Sequence, residues 1–87
     1  MELEEVFSSK LRMKIIKTIC QLGQLNASDI ARRINLNYTA TQKHLKLLES
    51  EGVLSVWVYG RVHLYRLSDS KKAKAVVALV EAWTNTS

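Results

Sequence analysis

Tyr38, Thr39, Gln42 and Lys43 fall within a single helical turn and a half, with Lys46 following one turn later. Gln42 offers a donor and an acceptor side by side, the pattern that matches adenine; Lys43 can donate to guanine; and the methyl of Thr39 can touch that of thymine. Tyr38, Thr39, Gln42 and Lys43 are therefore assigned to base readout in double-stranded DNA, and Lys46 to a phosphate. Arg32 and Arg33 precede this segment and Arg61 follows it. All three are assigned to phosphate or minor-groove contacts, which fix register without reading sequence.

The distribution of charge supports that assignment. The chain has 87 residues and a net charge of +5. Residues 30–48 carry Arg32, Arg33, Lys43 and Lys46, residues 52–68 carry Arg61 and Arg66, and neither stretch contains an acid. An anionic partner is expected.

Other chemistry is sparse. Cys20 is the single cysteine, so an intrachain disulfide is excluded and a metal site would have to recruit His44, His63 or carboxylates. A buried thiol is expected, with an intersubunit disulfide or a redox sensor as the alternatives. His44 lies beside an apolar stripe and His63 points with Tyr65 and Leu67, so both are expected to pack. No nucleophile, base and orienter come together, and there is no glycine-rich phosphate loop, so neither an enzyme nor a cofactor is expected.

The elements that must position these residues follow from periodicity and punctuation. Leu11, Ile15, Ile19 and Leu22 mark an amphipathic helix over 9–22, capped by Ser8 or Ser9 and ended by Gly23; Leu3, Val6 and Phe7 either extend it backwards or form a separate turn. Gln24-Leu25 reads as a connection. Asn26 or Ser28 caps a second helix with Ile30, Ala31 and Ile34 inward. Asn35-Leu36-Asn37 breaks the period, and Asn37 caps a third helix, 38–50, with Thr41, Leu45 and Leu48 inward. Residues 53–67 read as a hairpin turning at Tyr59-Gly60-Arg61. Ser68-Asp69-Ser70 then caps a last helix over 70–83.

The predicted fold is mainly α with a small β-hairpin wing (α+β), in the order helix, helix, helix, strand, strand, helix: a winged helix-turn-helix forming one domain over 1–87. In the last helix Ala73, Val76, Val77, Val80 and Trp83 follow a core-facing period, while Ala75, Ala78, Leu79 and Ala82 make the other flank apolar as well. A helix apolar on two sides needs two partners. The second partner is predicted to be the same helix of another copy, with the first helix alongside, giving a homodimer interface of Leu11, Ile15, Val76, Val77, Val80 and Trp83.

The chain resembles the winged-helix transcriptional regulators of the ArsR type, common in bacteria and archaea. The resemblance rests on Leu25-Asn26-Ala27-Ser28-Asp29-Ile30-Ala31, on His44-Leu45-Lys46-Leu47-Leu48-Glu49-Ser50-Glu51-Gly52-Val53-Leu54, and on Tyr65-Arg66-Leu67. It runs in register over about 9–67 and reaches the last helix by position only. Together with the two-sided terminal helix, these features lead to the expectation of a dimeric transcriptional repressor on a palindromic operator, with helix 38–50 in the major groove and the wing, 54–67, on the backbone or minor groove. Metal-sensing members carry paired cysteines near the start of the recognition motif or histidine and carboxylate clusters on the terminal helix. Here Asp29-Ile30-Ala31-Arg32-Arg33 stands at the first place and only Glu81 at the second, so no metal is expected. The apolar run 75–80 is too short to span a bilayer and the acidic start is unlike a signal peptide; a cytoplasmic, nucleoid-associated protein is expected. The rival expectation is a winged-helix protein-interaction module that does not read DNA.

Overall fold

The computed structural model describes residues 1–85. Leu3–Phe7 form a separate short helix, α1, rather than a backward extension of the next one. The side chain of Ser9 accepts a hydrogen bond from the backbone N–H of Arg12 at 3.2 Å and so caps helix α2, Lys10–Leu22. Asn26 caps α3, Ala27–Ile34, by accepting from the N–H of Asp29 at 2.8 Å. Asn35 ends α3 in the left-handed region at φ 57°, a conformation asparagine tolerates better than most residues, and its N–H bonds back to the carbonyls of Ala31 and Arg32. Asn37 caps α4, Tyr38–Ser50, through the N–H of Ala40 at 2.8 Å. The turn between α3 and α4 is thus held by asparagines at both ends.

Strands β2, Leu54–Tyr59, and β3, Val62–Leu67, pair antiparallel from Leu54 opposite Leu67 to Tyr59 opposite Val62. Only Gly60 and Arg61 lie between the terminal pair. Gly60 takes φ +59°, which the tight two-residue hairpin requires at its first turn position and which a Cβ disfavours. Ser70 caps α5, Lys71–Asn85: its Oγ accepts from the N–H of Ala73 at 3.0 Å and donates to the carbonyl of Gly52 at 2.5 Å, tying the start of α5 to the end of α4.

One element was not expected. Gln24–Asn26, read as a connection, is an edge strand, β1, in a three-stranded sheet of order β1-β3-β2, with Leu25 opposite Tyr65. Three residues are too few to show a period, and the strand exists because β3 supplies its partners.

The core joins Ile15, Ile16 and Ile19 of α2, Ile30 and Ile34 of α3, and Leu45 and Leu48 of α4 to Val53, Leu54 and Tyr65 of the sheet and to Val76 and Val80 of α5. Each such side chain contributes roughly 1.5–3 kcal/mol by leaving water. Thr41 is buried among them, and its hydroxyl donates to the carbonyl of Asn37 at 2.8 Å. The predicted inward stripes of α3 and α4 are those observed.

Three expectations need correction. His63 is exposed rather than packed, because the distal half of the hairpin projects beyond the helices and both of its faces meet solvent there; Val58, its cross-strand neighbour, is exposed for the same reason. Trp83 does not face the core: it is 80% exposed. Ile15 is 0% exposed and Val76 and Val80 are 8% exposed, so these three are satisfied inside their own chain and offer little or nothing to a second one. The outward apolar surface of α5 is carried instead by Leu79 and Trp83. It borders two open grooves, of about 620 and 320 Å³, both of which Met13 and Leu79 line, with Leu3 and Phe7 of α1 in the larger and Trp83 in the smaller.

Candidate nucleic-acid interface

Burial of Thr41, Leu45 and Leu48 fixes the rotation of α4 and thereby decides what it shows to solvent. Thr39, Lys43 and Lys46 are exposed, Tyr38 is about half exposed, and Gln42 is partly buried. Gln42 is engaged at both ends of its amide. Its Nε2 donates to the hydroxyl oxygen of Tyr38 at 2.6 Å, and its Oε1 accepts from the hydroxyl of Tyr65 at 3.4 Å. Tyr65 is buried on β3, so this chain of contacts joins the sheet to the outward face of α4. Burial, then Glu49 and Tyr38 nearby, push the Tyr65 hydroxyl above its usual pKa and keep it a donor.

Arg32, Tyr38 and Arg61 come together around one groove of about 320 Å³ between the start of α3 and the tip of the hairpin, with Asp29 and His63 also on its walls. Arg32 is paired with the carboxylate of Asp29, whereas Arg61, also on the groove, forms no ion pair among the described residues. Arg33 is exposed and lines a neighbouring groove with Asp29 and Arg32. Thr39, Lys43 and Lys46 stand outside the groove, along the exposed side of α4. The expected readers and anchors thus form two neighbouring surfaces rather than one.

Several contacts escaped the sequence reading. Tyr65 looked like a core tyrosine; its hydroxyl reaches Gln42 across 23 positions of sequence. Arg12 donates from Nε to the carbonyl of Val6 at 2.8 Å and from Nη2 to that of Glu5 at 2.9 Å, while Nη1 lies 3.3 Å from Nδ1 of His44. Burial and the charge of Arg12 lower the His44 pKa. On the outer face of the sheet, Arg66 lies over the ring of Trp57 at 4.9 Å and Trp57 stacks with Tyr59 at 6.4 Å. Cys20 is partly buried, and burial followed by the Glu81 carboxylate raises its pKa, which favours the protonated thiol. Among the described residues no group of three His, Cys, Asp or Glu side chains is placed to hold a metal ion, and no helix is long and apolar enough to cross a membrane.

Residues 8–55 match the family model described as winged helix-turn-helix DNA-binding. The chain belongs to that family. The match covers α2, β1, α3, α4 and the start of β2, which are the elements that build and orient the exposed face of α4. This winged helix-turn-helix chain is 32% identical over 62 residues to the uncharacterised HTH-type transcriptional regulator B-115 of Sulfolobus spindle-shape virus 1; the match takes in 71% of this chain and 54% of the viral protein, about half its length. Among solved structures, it is similar in fold to the transcriptional repressor BigR from Xylella fastidiosa, with a TM-score of 0.80 and 20% identity, over 93% of this chain and 79% of that one. It is likewise similar to a homodimeric winged helix-turn-helix DNA-binding domain from Mycobacterium bovis, a possible ArsR-family transcriptional regulator, with a TM-score of 0.76 and 22% identity over 93% and 73% of the two chains. The family is one of winged helix-turn-helix DNA-binding domains.

Proposed function

We propose that this protein is a transcriptional repressor that binds a palindromic operator as a homodimer. Helix α4 lies in the major groove, the hairpin 54–67 lies on the backbone and minor groove, and occupation of a promoter blocks polymerase. The observation that carries this reading is the rotation of α4. Its buried side is held by Thr41, Leu45 and Leu48, which leaves Thr39, Lys43 and Lys46 pointing away from the molecule. Tyr38, Thr39, Gln42 and Lys43 then face base edges, and Lys46, Arg32, Arg33 and Arg61 face phosphates or the minor groove. That the similar folds include a repressor and a homodimeric DNA-binding domain supports both parts of the reading. Two copies joined through α5 would set their α4 helices roughly 34 Å apart, one turn of DNA. A soluble protein acting at the chromosome in the cytoplasm accords with this role.

Titration of a selected duplex and of bulk DNA over a range of salt concentrations tests it. Specific binding should weaken steeply with salt. Lys46→Ala, which removes one phosphate-binding cation, should lower the slope of log K against log salt by about 1, equally for both DNAs. Gln42→Ala combined with Lys43→Ala should weaken specific binding more than non-specific binding. Equal weakening on both DNAs would remove these two residues from base readout, and binding indifferent to salt and sequence would favour a protein-docking module.

A further inference from the structure

The three-stranded sheet has a face that the core does not use. Residues paired directly across its strands share a face, so the register sorts the side chains into two sets. Leu54, Tyr65 and Leu25 belong to the inner set, and the first two are buried. The outer set holds Trp57 opposite Leu64, Tyr59 opposite Val62, and Arg66 between Ser55 and Gln24. On that face Trp57 is 47% exposed and Tyr59 58%, with Val62 exposed beside them, one apolar patch rather than scattered residues. The two rings are parallel to within 11° at a centroid distance of 6.4 Å, and the Arg66 guanidinium lies 4.9 Å from the centre of the Trp57 ring. A cation and two aromatic rings thus stand together along the wing.

We infer that the outer face of the wing binds single-stranded nucleic acid, with unpaired bases stacking on Trp57 and Tyr59 and a phosphate pairing with Arg66. Aromatic side chains hold unpaired bases by stacking, and a cation among them attracts the backbone. The charge of the face suits that ligand. Arg66 is the one charged residue of the outer set, residues 52–68 contain no acid, and the chain as a whole carries +5. A protein contact would anchor such rings in a recessed, well-packed pocket. Neither ring lines any of the grooves described above. The face lies on the side of the sheet opposite the buried core, so the inference does not depend on the reading of α4 as the major-groove helix, and one chain can hold a duplex and a single strand at once.

Fluorescence anisotropy of a labelled oligodeoxythymidylate of about twelve nucleotides, titrated with the full chain, tests it. An abasic strand of the same length supplies the phosphates without the bases, and an oligouridylate distinguishes RNA from DNA. At least one of the two base-bearing strands should bind more tightly than the abasic one. Trp57→Ala and Tyr59→Ala should each weaken that binding about 5- to 150-fold, whereas Trp57→Phe, which keeps a ring, should retain most of it. Arg66→Gln should lower the slope of log K against log salt by about 0.7. Gln42→Ala combined with Lys43→Ala, which alters α4, should bind the strand as the wild-type protein does. Both alanine substitutions fall at exposed positions, and if one variant fails to keep the wild-type helical spectrum the other decides. Equal affinity for the abasic strand would reduce the contact to charge alone and overturn the inference. So would unaltered binding in the folded alanine variants, or a loss that follows the α4 variant instead. Failure of the wild-type protein to bind either base-bearing strand would overturn it as well, and would assign the rings to a protein partner.

Discussion

Arg12 and His44 show how one pair of side chains holds two elements together without belonging to the proposed DNA face. The guanidinium of Arg12 satisfies two carbonyls at the end of α1, those of Glu5 and Val6, and reaches Nδ1 of His44 on α4. An Arg N–H can only donate, so this contact requires Nδ1 to be unprotonated. Burial first, and the Arg12 charge second, hold His44 below its usual value of 6.5. Above the ordinary histidine range both folded and unfolded chains are neutral at this site, and it adds nothing to the dependence of stability on pH. As pH falls through that range the unfolded chain takes up the proton first, so the fold loses stability until the lowered pKa is passed, after which the penalty is constant. Thermal melts at pH 7 and pH 5 should therefore show a decline for the wild-type protein that His44→Gln, which keeps an acceptor but cannot titrate there, makes shallower. Equal declines in the two proteins would rule out His44 as the source.

Each long helix starts on a side-chain cap, and the cap of α4 has a consequence for binding. Asn37 accepts from the N–H of Ala40 through Oδ1, while its carbonyl accepts from the hydroxyl of Thr41. Asn37→Ala should cost about 1 kcal/mol, or about 4–8 °C in Tm for a domain of this size, and should fray the turn that carries Tyr38 and Thr39. Asn37→Asp keeps a capping oxygen but adds a negative charge beside the proposed DNA surface. It should retain the Tm of the wild-type protein while weakening DNA binding, and the effect should shrink as salt is raised. A Tm unmoved by Asn37→Ala would show that the cap does not hold the helix. The cap of α4 was legible in the sequence and those of α2 and α3 to within two candidates each, because Ser9, Asn26 and Asn37 stand where apolar periods begin, and so were the buried stripes of α3 and α4, because their apolar residues recur at helical spacing. What escaped was held by partners distant in sequence. β1 is too short to have a pattern of its own, the Tyr65 hydroxyl meets Gln42 across 23 positions, and alternation along β3 marks inward residues only as far as the helices extend, so His63 continues the pattern into solvent. The same limit produced the error over Trp83, whose spacing continues the core-facing series of α5 past the point where the core ends.

At the scale of the whole molecule, the terminal helix carries an apolar surface that its own core does not use. Leu79 is 56% exposed and Trp83 is 80% exposed, and Met13 of α2 with Leu3 and Phe7 of α1 continues the apolar strip. In the proposed homodimer this strip replaces the buried residues Ile15, Val76 and Val80 as the contact surface; Val77 and Leu11 are partly buried and line neither groove. The distinction can be tested because outer and inner residues of the same helices should behave differently. Leu79→Glu with Trp83→Glu places charges where water already reaches, so the variant should fold with an unchanged helical spectrum yet sediment as a monomer at micromolar concentration. Ile15→Glu places an unpaired charge in the core and should unfold the chain outright. If two copies of α4 must engage one operator, the monomeric variant should bind the full palindrome about 10²–10⁴ more weakly, because the second binding event ceases to be intramolecular, while its affinity for an isolated half-site stays that of the wild-type subunit. A wild-type protein that sediments as a monomer at micromolar concentration would defeat the dimer, and a double variant that stays dimeric would place the interface elsewhere on the surface. A monomeric variant that still bound the full palindrome at wild-type affinity would mean that α5 does not set the spacing between the two recognition helices.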